Sequence, residues 1–330
     1  MKAVAMKEAH PATWRNYEFR AMGSSMAVWL ETDNADTAAM AFEEVEALFA
    51  AYERSLSRFR PASELSRLNA RTGQWVVVSD PIWNVLTLAL EMAAATGGYF
   101  DPTMLNALVR AGYSSSFEQL SLVSQHDPIV QEAPYPVNWK DIRRDAERQA
   151  VFLPEGIGVD LGGIAKGYTA QQAVEFIRPY GPCLVDAGGD LAAGDAPDGY
   201  PGWPVAISSP WTADSEGTFD LCQLWLENQA LTSSGRDYRT WEIDGQVRHH
   251  LIDPLTGLPA ATDSLTVTVL ADDAAQAEAW ATAALVAGSV SGMDALLEAQ
   301  LAGLMVTESG NILLTPIMAQ VLQLAPQMEL

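Results

Sequence analysis

The 330-residue chain has only two cysteines, Cys183 and Cys222, both in apolar runs. So few thiols argue against a disulfide framework and predict two free core thiols. Basic residues are also scarce: 19 Lys plus Arg stand against 42 Asp plus Glu, a formal net charge of −23, with no long basic run anywhere. An anionic surface repels nucleic acid and acidic lipid, so neither is an expected partner. Any phosphate-bearing ligand needs a local device, such as backbone N–H groups, one placed Lys or a divalent cation. No uninterrupted apolar run reaches the roughly 18 residues that suggest a membrane span. Lys2 and Lys7 open the chain, but Glu8, His10 and Pro11 interrupt it before a signal-peptide core forms. The expectation is a cytoplasmic protein. Neither a linker-like break nor a fixed-period repeat divides the chain, which points to one domain.

What the chain does have is 48% hydrophobic residues, enough for a large core. Phe42, Val45, Leu48, Phe49, Tyr52 and Leu56 recur at intervals of three and four, predicting an amphipathic helix from Asp36 to Leu56. A strand is expected at 26–31, a serine-rich loop at 57–69 and a second strand in QWVVVS. Pro81 opens another helix, which stops at Gly97-Gly98. Residues 112–136, rich in Ser, Gln and Pro, show no period and read as an irregular excursion. Beyond Phe152, glycines punctuate alternating strands and helices, with Asp244-Gly245 in TWEIDGQVRHHLI as the turn of a two-residue hairpin. Helices follow near 272–288 and 292–302, then short strands on either side of Ser309-Gly310. The class is α/β or α+β, with mixed sheets and flanking helices in one compact domain. Strand order does not follow from this pattern.

Four clusters have chemical potential. In VDLGGIAKGYTAQQA (159–173), a strand end delivers Asp160, Gly162 and Gly163 permit close backbone approach, and a helix begins near Ile164. That suits an anion at a helix N-terminus with Lys166 as a point charge, although a plain strand-to-helix turn reads the same way. It matches neither a Walker loop nor G-x-G-x-x-G. LVDAGGDLAAG (184–194) sets Gly188 and Gly189 between Asp186 and Asp190, a ligand-approaching bend or simply a turn. In 230–260, Thr232, Ser233 and Ser234 precede a glycine, and His249 and His250 are adjacent. Neighbouring strand residues face opposite sides, so at most one histidine reaches a given site as acid, base or donor, and a paired metal site is implausible. Glu278 and Thr282 lie four apart on an Ala-rich helix, where a carboxylate and a hydroxyl on one face suit a hard cation such as Mg²⁺. A solvated acid beside a buried Thr is the plainer alternative. RAMGSSM (20–26) and GYFDPTM (98–104) decide nothing alone.

Taken in order, AMGSSM, SRFRPASELSRLN, GYFDPT, VDLGGIAKG, DAGGDL, TSSGRD, HHLIDPLTG and EAWAT resemble the motif series of the ApbE-type FAD:protein FMN transferases, over roughly residues 19–290. Each is weak alone, and their coincidence is specific. The resemblance implies one flavin-transferase domain over 19–330 behind an N-terminal extension at 1–18. It implies FAD as substrate in a cleft, and Mg²⁺ held by Glu278, Thr282 and a main-chain carbonyl at about Gly163. Flavin contacts would fall on Met22, Asp101, Lys166, Gly188, Gly189, Asp190 and Ser234, with His250 near the phosphates. His250, Lys166 and Asp190 form the implied catalytic set. The implied partner is an acceptor flavoprotein whose threonine hydroxyl attacks the FMN phosphorus and releases AMP. The nucleophile then belongs to the partner, in keeping with the lack of an evident Ser or Cys paired with a base. FAD hydrolysis and non-catalytic FAD binding are the alternatives. Two residues depart from the motif series: Glu278 replaces an Asp, and Ser24 replaces a Thr. Family members are commonly exported, which sets the cytoplasmic expectation against the family habit.

Overall fold

The computed structural model describes residues 3–5, 13–116, 138–213, 217–236, 240–243 and 246–324. Eight segments pair into one sheet: β1 (Trp14–Ala21), β2 (Ser24–Glu31), β3 (Cys183–Ala187), β4 (Leu191–Ala193), β5 (Ala230–Gly235), β6 (Ser264–Ala271), β7 (Ala302–Thr307) and β8 (Ile312–Leu314). Their order across the sheet is their order along the chain, and every neighbouring pair is antiparallel. The chain steps from strand to strand and places most of its helices in the connections.

The connection from β2 to β3 carries α1 (Ala35–Leu56), α2 (Glu64–Asn69), α3 (Asp80–Ala95), α4 (Leu105–Arg110) and α5 (Ala165–Ile177). Between β6 and β7 lies α6 (Ala274–Glu298), and α7 (Pro316–Leu324) follows β8. Side chains of alternate parity separate onto the two faces, as the two-residue strand period requires. Met26, Val28, Leu30, Val185 and Ala187 join residues of α1 and α5 in one core, while Val267, Val269 and Met305 pack with α6. On the opposite face Leu184, Leu191, Leu231, Leu304 and Val306 pack with the antiparallel ribbon Trp203–Ala213/Gly217–Leu226 and with Met318 of α7. The expected α+β class with flanking helices is what the chain adopts.

Local signals account for most helix ends. The Asn34 side chain accepts from the N–H groups of Asp36 and Thr37 to start α1. The serine-rich stretch expected to be a loop ends in α2, because the Ser63 hydroxyl accepts from the Ser66 N–H as an N-cap. Pro81 sits in the first turn of α3, and Gly97 and Gly98 follow its end at φ +63° and +88°. The two helices expected near 272–288 and 292–302 are one element broken at Gly288, where φ is +84° and ψ 173°. Asp263 restarts it by accepting from the Ser289 N–H at 2.8 Å and the Ser289 hydroxyl at 2.5 Å. By length and composition α6 resembles a membrane span, with a mean hydropathy of 1.3 over its most apolar window. Here it packs on the sheet, and Ala277, Ala281 and Leu285 are fully buried.

β1 begins at Trp14, ahead of the domain start expected at 19, and Trp14 is buried with its indole N–H donating to Glu31. Ala3–Ala5 pairs with the Trp203–Ala213 strand. The Asp244-Gly245 turn and positions 117–136 of the expected excursion lie outside the described residues. The strands Thr240–Ile243 and Gln246–His249 do pair, with Ile243 opposite Gln246, the register a two-residue loop needs. Cys183 and Cys222 are both free, and burial pushes their thiols up to about 12 and about 11.

Candidate active site

Two glycine-containing bends press together on one wall of a cleft of about 700 Å³. The first is Met22-Gly23, joining β1 to β2 with φ +49° and +69°, a two-residue loop with both residues left-handed. The second is Gly188-Gly189-Asp190 between β3 and β4, where Gly188 and Gly189 have φ +76° and +100°. A Cβ on Gly188 would fall 2.7 Å from the Ser24 Cβ, so only glycine permits this contact. Met22, Gly188 and Asp190 line the cleft. Gly189, expected among the contacts, is not in that lining; its N–H donates to Asp186 Oδ1 at 2.6 Å and shapes the bend.

Lys166, in the first turn of α5, forms the electrostatic centre. At the next residue α5 and α6 touch backbone to backbone: a Cβ on Gly167 would lie 2.4 Å from the Ala274 carbonyl oxygen. This approach brings Glu278 of α6 within reach, and its Oε1 accepts from Lys166 Nζ and its Oε2 from the Gly167 N–H, each at 2.9 Å. The same ammonium is paired with Asp190, and the three side chains are 15%, 6% and 5% exposed for Lys166, Glu278 and Asp190. Burial pulls the Lys166 pKa down, but the Asp190 and Glu278 charges outweigh it and hold the ammonium above the ordinary Lys range. Burial pushes Glu278 up to about 7 against the opposing pull of Lys166. One cation serves two buried carboxylates.

One helical turn beyond Glu278, the Thr282 hydroxyl lies 2.9 Å from the Ser234 hydroxyl of β5. A Cβ on Gly163 would sit 4.0 Å from Thr282 Oγ1, which places that backbone next to the pair. Glu278, Thr282 and a Gly163 carbonyl are all hard oxygen donors, the chemistry Mg²⁺ prefers. Among the described residues no group of three or more His, Cys, Asp or Glu side chains could hold a metal. Both Glu278 oxygens accept from Lys166 and the Gly167 N–H, and Thr282 pairs with Ser234, so these donors would meet a cation only by exchanging those partners.

Asp160 also lines the cleft. Its Oδ1 accepts from the Gly162 N–H at 2.8 Å, its N–H donates to the Pro102 carbonyl at 2.8 Å, and its Oδ2 meets Arg58 Nε at 2.5 Å. The Arg58 guanidinium lies over the Phe59 and Tyr113 rings, 4.1 and 4.6 Å from their centroids. Asp101 also lines the cleft and accepts from the Thr103 N–H and hydroxyl; burial, the larger influence, pushes its carboxyl up. His250 lines the cleft edge-on to Tyr113, which stacks on Trp241. His249 stays out of the lining, and burial first, then Arg236, pushes its pKa down. His250 lies in the bend after the strand Gln246–His249, so it is that bend, not strand alternation, that parts the two histidines.

Sequence reasoning missed Glu53, Arg58, Asn69 and Tyr113. The strand end expected to deliver Asp160 does not form; the segment before the glycine loop makes only an isolated bridge, Gly158 to Met104, and is held by Asn69, which donates to the Val159 carbonyl and accepts its N–H, both at 2.8 Å. Arg58 and Asn69 were within a quoted motif, yet nothing local marked them. No motif or periodicity in the sequence singles out Glu53.

An antiparallel sheet wrapped by helices, with glycine bends, a buried ammonium and paired hydroxyls around one cleft, defines an α+β protein built to hold an anionic small molecule. The chain belongs to the ApbE family, whose model matches residues 22–305. It is 32% identical over 266 residues to the FAD:protein FMN transferase of Treponema pallidum (strain Nichols), covering 75% of this chain and 71% of that protein. Against the FAD:protein FMN transferase of Escherichia coli (strain K12) it is 27% identical over 301 residues, covering 89% and 84%. Among solved structures, the ApbE protein of Thermotoga maritima superposes with a TM-score of 0.83 at 25% identity, over 94% of this chain and 99% of that one. The apo flavinyl transferase ApbE of Pseudomonas stutzeri shares the fold with a TM-score of 0.79 at 22% identity, over 94% and 96%.

Proposed function

We propose that the chain is an FAD:protein FMN transferase that takes FAD into this cleft and, with Mg²⁺, transfers FMN to a threonine hydroxyl of an acceptor flavoprotein, releasing AMP. The observation that carries this reading is convergence. Met22, Asp101, Gly163, Lys166, Asp190, Ser234, His250, Glu278 and Thr282, dispersed over most of the sequence, line one cleft. Relatives over most of the chain bear the name of that activity.

In the transfer, the threonine oxygen forms a bond to the FMN phosphorus. The bond from that phosphorus to the bridging pyrophosphate oxygen breaks, and AMP departs with the electron pair. Lys166, held cationic by two carboxylates, places a fixed positive charge beside the phosphates. Asp190 and Glu278 hold that charge in place, and the glycine bends let backbone approach the ligand. His250, on the cleft wall, is the group assigned to take the hydroxyl proton. Glu278, Thr282 and the Gly163 carbonyl would hold Mg²⁺, which when bound neutralises charge growing on phosphoryl oxygens. Incubating the protein with FAD, Mg²⁺ and an acceptor tests the reading: AMP release matched by an FMN mass gain on the acceptor supports transfer. AMP without that gain means hydrolysis, and flavin binding without AMP means a carrier.

A further inference from the structure

We propose that Glu53 is a positioning residue that sets the Met22-Gly23 turn against the ligand, a role that rests on the reading that the cleft takes FAD. In a two-residue hairpin loop the strand ladder ends at the flanking residues, and the N–H of the first loop residue needs a partner from elsewhere. The Met22 N–H donates to Glu53 Oε2 at 2.9 Å, across 31 residues of sequence, from the hairpin to the last turn of α1. The other carboxylate oxygen, Oε1, accepts from Arg60 Nε at 3.0 Å and Nη2 at 2.9 Å. The serine-rich loop thus fixes the carboxylate that fixes the turn. Met22, Glu53 and Arg60 all line the cleft.

The turn is constrained from a second side. Ser24 packs against Gly188 so closely that a Cβ there would come within 2.7 Å. Met22 itself has φ +49°, a conformation that a side-chain-bearing residue holds only when its surroundings impose it. The Glu53 and Arg60 side chains are 22% and 52% exposed, and so open an ion pair contributes little to stability. What Glu53 does contribute is orientation: it links the first motif segment to the second and holds Met22 at the cleft.

The test uses the purified full chain and FAD with Mg²⁺, reading affinity by quenching of flavin fluorescence, the visible circular dichroism of bound flavin, and thermal unfolding. Loss of a charge-assisted hydrogen bond predicts that E53A weakens FAD about tenfold and alters the flavin dichroism while unfolding close to wild type. E53Q retains a carbonyl acceptor for the Met22 N–H and recovers most of the affinity. FAD affinity unchanged in E53A, or E53Q as weak as E53A, overturns the proposal. Should E53A not fold, E53S, whose side chain is too short to reach the Met22 N–H, takes its place under the same outcomes. Wild-type protein that binds no FAD defeats the proposed function first and this inference with it, whereas wild-type binding beside an unaffected E53A defeats the inference alone.

Discussion

Lys166 is the residue with the most riding on it, because Asp190 and Glu278 are both buried beside it and share its single charge. Removing one member of a buried ionic group strands the others, at a cost of about 3–5 kcal/mol. Lys166→Met should lower stability by that order in urea unfolding and abolish AMP release; a melt superposable on wild type would contradict the assignment. Glu278 has a pH signature in the ligand-free protein. Its folded pKa of about 7 lies above its ordinary 4.5, so the native state binds the proton more tightly than the unfolded chain. Stability attributable to Glu278 is therefore greatest at low pH, is lost as pH rises from 4.5 to about 7, and levels off above. Urea unfolding of wild type and Glu278→Gln across that window should show the slope in the wild type alone; parallel profiles would refute it. At the histidines, His250→Ala should slow transfer roughly a hundredfold or more with FAD still bound. His249→Ala, outside the lining, should keep its transfer rate, and equal losses at both positions would leave His250 no chemical role.

Between elements, the decisive contact is where α5 meets α6. Gly167 leaves no room for a methyl group, 2.4 Å from the Ala274 oxygen, and that closeness lets Glu278 reach Lys166. Gly167→Ala should destabilise the protein by about 1–3 kcal/mol, the usual cost of overpacking, and weaken FAD binding in the same variant. Full affinity with lowered stability would detach helix spacing from the cleft. This spacing was invisible in the sequence, where Gly167 was only the last letter of a motif. Other elements were legible: α1 from its apolar stripe, and α3 from Pro81 and the Gly97-Gly98 stop. β1 escaped notice because it is an edge strand, buried only at Trp14, Phe19 and Ala21. β7 is buried on both faces throughout, so alternation gave no clue to its neighbours. Strand order also depends on β3 returning to β2 after a connection of about 150 residues (32–182), which periodicity does not encode.

For the whole molecule, a net charge of −23 sets an anionic ligand a problem that side-chain placement alone does not solve. Arg20, Arg58, Arg60 and Lys166 line the cleft, but so do Glu53, Asp101, Asp160, Asp190 and Glu278, which leaves backbone N–H groups at the glycine bends as the donors free of side-chain counter-charge. The site was readable because its motifs kept their order, while supports such as Glu53 and Arg58 act through contacts formed only on folding. The most direct test combines purified protein, FAD and Mg²⁺ with an acceptor flavoprotein, following AMP and the acceptor's intact mass together. FMN transfer predicts one FMN added to the acceptor for each AMP released, with both lost when the metal is chelated or the acceptor threonine is replaced by valine. AMP accumulating with the acceptor mass unchanged, or no AMP from protein shown to bind FAD, would contradict it.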